Sequence, residues 1–145
     1  MDNRPSFPDT FLKIAKIISE RGTCTRGNHG AVIVKDNRII STGYTGSPSG
    51  SPHCTDIGCH IDPETGGCIR TLHAESNAIG QAAKNGIALN GTTMYCTMAP
   101  CLSCAKLILQ VGIVAVVYSV EYRDKRGIEY LLSNKIRMYH EKSEE

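Results

Sequence analysis

Cys101 and Cys104 stand three residues apart directly behind Pro100, in the stretch Pro100-Cys101-Leu102-Ser103-Cys104-Ala105-Lys106-Leu107. Proline is suited to the first positions of a helix, and residues i and i+3 share a helix face, so both sulfurs project from one side of a first turn. The orphan N–H groups and the positive dipole end found there lower thiol pKa values and favour metal binding. Alone, such a pair reads as well as a redox dithiol or as two buried cysteines. A third candidate ligand, His73, opens the helical pattern His73-Ala74-Glu75-Ser76-Asn77-Ala78. His73-x-Glu75 followed, with 24 residues between, by Pro100-Cys101-x-x-Cys104 is a joint pattern unlikely by coincidence, and it favours one metal held by His73, Cys101 and Cys104. Zinc with three protein ligands keeps a fourth position open for water and lowers that water's pKa to about 7. Glu75, two residues from His73, is then the candidate catalytic carboxylate, moving protons without ligating the metal. Without those ligands nearby, His73 would read as a cap or core residue and Glu75 as a first-turn glutamate favoured by the helix dipole.

Seven cysteines, an odd number, argue against a disulfide framework and for thiolates as metal ligands in a reducing compartment. The opening Met1-Asp2-Asn3-Arg4-Pro5-Ser6 lacks a basic start followed by an apolar core, and the most apolar stretch, residues 113–120, is too short to span a bilayer. A soluble, cytoplasmic chain without membrane contact is expected. Its 145 residues, 41% of them hydrophobic, suit a single domain over 1–145. A net charge of +2, no Trp and only two Phe argue against a nucleic-acid polymer as partner and for a small anionic ligand.

Apolar spacing predicts a helix over 8–20, and two β-branched runs around Asp36-Asn37 predict an antiparallel hairpin. Helical pattern over 73–84, 101–110 and 125–132 alternates with strand pattern over 92–97, 113–119 and 135–140. Such alternation predicts an α/β sheet with helices on its faces. Residues 46–71, rich in Gly, Ser and Pro, show neither helix nor strand, and a loop of that length inside a domain calls for a staple. Cys24, Cys54, Cys59 and Cys68 flank or interrupt it, and four thiolates would make a closed structural zinc site. The competing reading is four free or buried cysteines; His53 or His60 could also replace one sulfur. Cys96 reads as a small core residue.

His73-x-Glu75 with Pro100-Cys101-x-x-Cys104 reproduces the H-x-E and P-C-x-x-C signature of zinc deaminases. Around it stand GAVIV from Gly30, RIISTGYTGSPSG from Arg38, His53-Cys54, Gly58-Cys59, CIRTLHAESNAI from Cys68 and VYSVEYRD from Val117. In order and approximate spacing, over nearly the whole chain, these resemble the deoxycytidylate (dCMP) deaminase branch of the zinc-dependent cytidine/deoxycytidylate deaminase family. The resemblance implies a three-layer α/β/α cytidine deaminase-like fold with a five-stranded mixed sheet. It also implies hydrolysis of dCMP to dUMP with release of ammonia, feeding thymidylate synthesis, in a homo-oligomer, often a hexamer, with dCTP and dTTP as effectors. In that reaction Glu75 takes a proton from water, passes it to the ring nitrogen beside the attacked carbon, and then protonates the leaving amine.

By the same resemblance the backbone of Ala74 contacts the pyrimidine edge, Asn77 shapes the nucleotide pocket, and Tyr122 lies over the sugar or base. Tyr44, Thr45 and Gly46 form a nucleotide or effector loop. Arg26, ahead of Arg70 and Arg123, is the candidate for the 5′-phosphate, which a guanidinium recognises in bidentate fashion. The chain departs from the branch pattern at Thr45, where Gly-Tyr-Asn-Gly has Asn, and at His29, where Val is usual. Alternative readings are a deaminase of another cytosine nucleotide or of a nucleic-acid base, and a non-catalytic zinc-stabilised nucleotide-binding module. The last would be expected to lose the carboxylate or a ligand, and neither is lost here.

Overall fold

Ser6 caps the first helix, α1 (Phe7–Ser19), its Oγ accepting the Asp9 N–H at 3.2 Å, and Pro8 occupies the first turn, where a missing N–H costs nothing. This computed structural model describes residues 2–142; the ends of the expected 1–145 domain, residue 1 and residues 143–145, lie outside the described residues. Strands β1 (Gly30–Lys35) and β2 (Arg38–Tyr44) form the expected hairpin. Asp36 and Asn37 both take positive φ, 50° and 59°, as a two-residue hairpin turn demands. A bulge between Ile33 and Val34 leaves Ile40 without a partner in the register.

After the long loop come α3 (Ala74–Lys84), β3 (Thr93–Met98), α4 (Leu102–Gln110), β4 (Ala115–Val120), α5 (Arg126–Ser133) and β5 (Arg137–His140). The sheet order is β2-β1-β3-β4-β5, antiparallel across β2, β1 and β3 and parallel across β3, β4 and β5. It is the five-stranded mixed sheet expected. Strand alternation separates two cores. Val32, Val34, Tyr95 and Val117 face α1 through Phe11, Leu12 and Ala15. On the other face, Ala31, Ile33, Met94, Cys96, Val116 and Tyr118 pack against Ala78, Ile79 and Ala82 of α3, Ile108 of α4 and Leu131 of α5. Three layers result, with Cys96 fully buried in the larger core as expected. Among the described residues no helix is long and apolar enough to cross a membrane.

Two close approaches set the site. A methyl on Gly43 of β2 would collide with the Ala74 carbonyl oxygen and the Ala78 amide of α3, and one on Gly127 of α5 would collide with the Pro100 carbonyl. Glycine therefore lets α3 lie directly on the sheet and α5 on the turn carrying the paired cysteines.

The expectation that residues 46–71 hold no helix needs correction. A four-residue helix, α2 (Cys54–Ile57), follows His53, whose N–H donates to the Asp56 carboxylate at 3.1 Å. The loop closes at its base, where Gly46 and Leu72 exchange backbone hydrogen bonds of 3.3 and 2.8 Å. Inside it, Ile69 N–H donates to the His60 carbonyl and Asp62 N–H to that of Gly67, both at 2.8 Å, turning the chain back on itself.

Candidate metal centre and substrate cavity

His73 and Cys101 are the N-cap residues of α3 and α4, each in extended backbone with no side-chain cap bond, so imidazole and thiol are free for other partners. Cys104 follows in the first turn of α4. α4 starts where β3 ends, and α3 starts against Gly43 near the end of β2, so the two helix starts lie at the same end of the sheet. There His73 Nδ1 lies 3.4 Å from Cys101 Sγ and 3.5 Å from Cys104 Sγ, and the three donor atoms are all within 4.8 Å of one another. Zn–N and Zn–S bonds of about 2.0–2.1 and 2.3 Å at tetrahedral angles give an N···S edge of about 3.6 Å. The donor set therefore fits a zinc ion in size and chemistry.

The thiols differ sharply. The Cys104 S–H supports a thiolate at Cys101, which lies at about 4, and the same bond together with burial pushes Cys104 up. His73 is raised, mainly through its hydrogen bond to Cys101. Glu75, in the first turn of α3, is 5% exposed, and burial raises its carboxyl against the opposing pull of His73. A carboxyl so placed can hold a proton and return it within the same site.

A cavity of about 330 Å³ opens over this group, lined among others by His73, Ala74, Glu75, Met98, Ala99 and Cys101. Thr45, His29, Tyr122, Arg26 and Arg123 complete its wall and rim. Arg26 Nη1 donates to the Gly66 carbonyl at 2.7 Å, which holds the guanidinium at the rim beside the returning loop. Arg123 joins it there. Arg70 does not line this cavity: its Nε donates to the Gly58 carbonyl at 2.9 Å.

Asn77 is not brought to this cavity either. Its Nδ2 donates to the Tyr44 carbonyl at 2.7 Å, tying α3 to the end of β2, and it lines a second cavity of about 540 Å³ with Tyr44, Ser47, His53, Gln81 and Lys84. The Tyr44-Thr45-Gly46 loop is likewise divided. Tyr44 faces the second cavity, and Gly46 is engaged in the loop-closing pair with Leu72. Thr45 is buried against the first cavity, with its Oγ1 accepting the His29 N–H at 2.9 Å.

Gly66 and Gly67 reach the first cavity because the 60–69 segment folds back, a placement the sequence signals only through the turn-forming Asp62-Pro63.

The loop cysteines converge separately. Ligand atoms of Cys24, Cys54 and Cys59 lie within 4.8 Å of one another, and Cys68 Sγ is 3.6 Å from Cys54 Sγ, near the S···S edge of about 3.8 Å that a tetrahedral zinc requires. The Thr25 hydroxyl, 3.3 Å from Cys59 Sγ, leads in holding that thiol at about 7, while burial pushes Cys54 up to about 12. His53 instead shares its Nδ1 with Thr23 Oγ1 at 3.0 Å.

The family model described as "Cytidine and deoxycytidylate deaminase zinc-binding region" matches residues 5–120. The chain is 42% identical over 120 residues to ComE operon protein 2 of Bacillus subtilis, covering 83% of this chain and 62% of that protein. It is 35% identical over 162 residues to the deoxycytidylate deaminase of Enterobacteria phage T4, covering 86% of this chain and 84% of that one. The crystal structure of dCMP deaminase from the cyanophage S-TIM5 in complex with dCMP and dUMP superposes with a TM-score of 0.84 at 32% identity, over 97% of this chain and 100% of that chain. The chain spans only 38% and 39% of the length of the Schizosaccharomyces pombe and Saccharomyces cerevisiae deoxycytidylate deaminases that it also matches.

Proposed function

The chain belongs to the cytidine and deoxycytidylate deaminase family, and on that premise we propose that it hydrolyses dCMP to dUMP and ammonia. One observation carries the reading: three metal-donor atoms within 4.8 Å of one another beside a buried carboxylate, in a cavity rimmed by arginines. The cyanophage protein bound to dCMP and dUMP, whose whole length the chain covers, supports the choice of nucleotide. His73, Cys101 and Cys104 would hold the catalytic zinc. Bound there, zinc supplies Lewis acidity that makes water a nucleophile at neutral pH.

Glu75 Oε takes one proton from the attacking water and delivers it to N3 of the pyrimidine as the C4–O bond forms. A second proton passes through the same carboxyl to the amino group as the C4–N bond breaks, so water is consumed and ammonia leaves. Ala74, 1% exposed at the cavity floor, offers its backbone to the pyrimidine edge, with Tyr122 alongside. Arg26 and Arg123 receive the 5′-phosphate. Asn77 acts indirectly, fixing α3 against the end of β2 through Tyr44.

Cys24, Cys54, Cys59 and Cys68 would hold a second, structural zinc that staples the loop, a reading supported by the mutual distances of their sulfurs. Triphosphate effectors such as dCTP and dTTP would meet the second cavity through Tyr44, not Thr45. Assembly into a homo-oligomer is supported by Leu107 and Leu132, exposed on α4 and α5. Seven cysteines, none of them in a disulfide, support a cytoplasmic setting. Ammonia release from zinc-loaded protein, measured on dCMP, CMP, deoxycytidine and dCTP, tests the activity. Preference for dCMP is expected; no release from any of the four overturns it.

A further inference from the structure

His29 stands just ahead of β1, beside the end of β3, and lines the substrate cavity. Both its backbone and its ring are fixed. Its N–H donates to Thr45 Oγ1 at 2.9 Å, and its carbonyl accepts the Thr45 N–H at 3.1 Å. Its ring Nδ1 lies 3.3 Å from Thr97 Oγ1, which already accepts the Gly30 N–H at 3.1 Å. With the Gly30 N–H on one of its lone pairs, the Thr97 hydroxyl can turn its proton toward Nδ1, and in that arrangement a neutral imidazole carries its ring proton on Nε2. Nε2 has no protein hydrogen-bond partner among the described residues. In that tautomer the side chain is a held, single-point donor at the cavity wall.

Of the lining residues, Ala74 and Glu75 are buried beside the candidate metal donors, His29 and Tyr122 are half-buried, and Arg26 and Arg123 are exposed. A nucleotide with its base beside Ala74 and Glu75 and its phosphate at the arginines places its sugar at the level of His29. In a deoxynucleotide the one free sugar hydroxyl is at C3′. We infer that His29 is a specificity-determining residue that donates from Nε2 to the 3′-oxygen of the nucleotide. The inference rests on the proposed deamination of dCMP. It also joins the two sequence departures into one unit: Thr45, with a single hydroxyl, spends it on the backbone of His29, and the His29 ring supplies the contact to the ligand.

The test compares kcat/KM for dCMP and for 2′,3′-dideoxycytidine 5′-monophosphate in the zinc-loaded full chain. A neutral hydrogen bond of this kind is worth about fivefold. Wild type should favour dCMP over the dideoxynucleotide by about that factor, mostly through KM, and His29→Val should abolish the preference by losing dCMP activity alone. His29→Gln, which retains an N–H donor, should keep the preference, and it carries the test if His29→Val loses zinc or melts early. Equal losses on both nucleotides, or a preference that survives His29→Val, overturns the assignment while leaving dCMP deamination standing. Protein inactive on dCMP overturns both.

Discussion

Replacing Gly43 by alanine should damage catalysis from a position that touches neither substrate nor metal. The added methyl would lie 2.9 Å from the Ala78 Cα, besides colliding with the Ala78 amide and the Ala74 carbonyl. Ordinary contact begins at 3.4 Å, so the helix must retreat by 3.4 − 2.9, at least about half an ångström, and the two backbone collisions demand more. That retreat moves α3 with His73, Ala74 and Glu75 at its start. Overpacking of this kind costs about 1–3 kcal/mol, which for a chain of this size lowers Tm by roughly 3–12 °C. A misplacement approaching 1 Å costs about 100-fold in rate, so kcat on dCMP should fall between about 10- and 100-fold. Gly80→Ala is the control. It lies on the same helix, and its methyl meets nothing within 4 Å, so it should raise stability by up to about 1 kcal/mol through helix propensity and leave kcat unchanged. Thermal melts, zinc stoichiometry and ammonia release on both variants decide the matter. A Gly43→Ala protein within 2-fold of wild type in kcat, or roughly equal to Gly80→Ala in Tm, would refute the claim that the glycine sets the height of α3.

Glu75→Gln should retain zinc and Tm while turnover of dCMP falls by about 10²- to 10⁴-fold, since proton transfer is lost and no ligand is removed; activity close to the parent's would rule out Glu75 as the proton carrier. Cys54→Ser should reduce the metal content from about two zinc ions per chain to about one and lower Tm, as read by metal analysis and thermal melts; a full complement would exclude Cys54 as a ligand. Arg26→Ala should weaken use of dCMP by about 10-fold or more, the value of a hydrogen bond to a charged group, and leave deoxycytidine little changed. Equal losses on both would transfer the phosphate contact to Arg123.

The candidate metal donors stand out in the sequence because each half of the group is local: Cys101 and Cys104 belong to one helix start, and His73, with the candidate proton carrier Glu75, to another. The two-sided core follows from strand alternation, which sends Val32 and Ile33 to opposite faces, whereas the order of the strands depends on pairings distant in sequence, such as β1 with β3, that local pattern does not carry. The 46–71 loop concealed α2 because a helix of four residues has no apolar period; its signals are the His53 cap position and Asp56 three residues on. The resemblance puts Asn77 at the nucleotide pocket, whereas its direction depends on where the Tyr44 carbonyl ends up, a contact across 33 residues that local pattern does not encode. The division of Tyr44 from Thr45 was readable in principle. Consecutive residues of an extended segment point to opposite sides, so a loop running straight on from β2 could not present both to one ligand.

The backbone pair between Gly46 and Leu72 makes everything between them an excursion that leaves the sheet and returns to its point of departure. The entropy of closing such a ring rises only with the logarithm of its length, by about 0.6 kcal/mol for each doubling. Chain added at the exposed apex formed by Ser49, Gly50 and Ser51 would thus burden folding very little and would not alter the register of any strand. This architecture can gain or shed sequence in that span while the reaction centre keeps its shape, which makes the span a natural place for lineages to diverge in size and for an engineer to graft a foreign peptide.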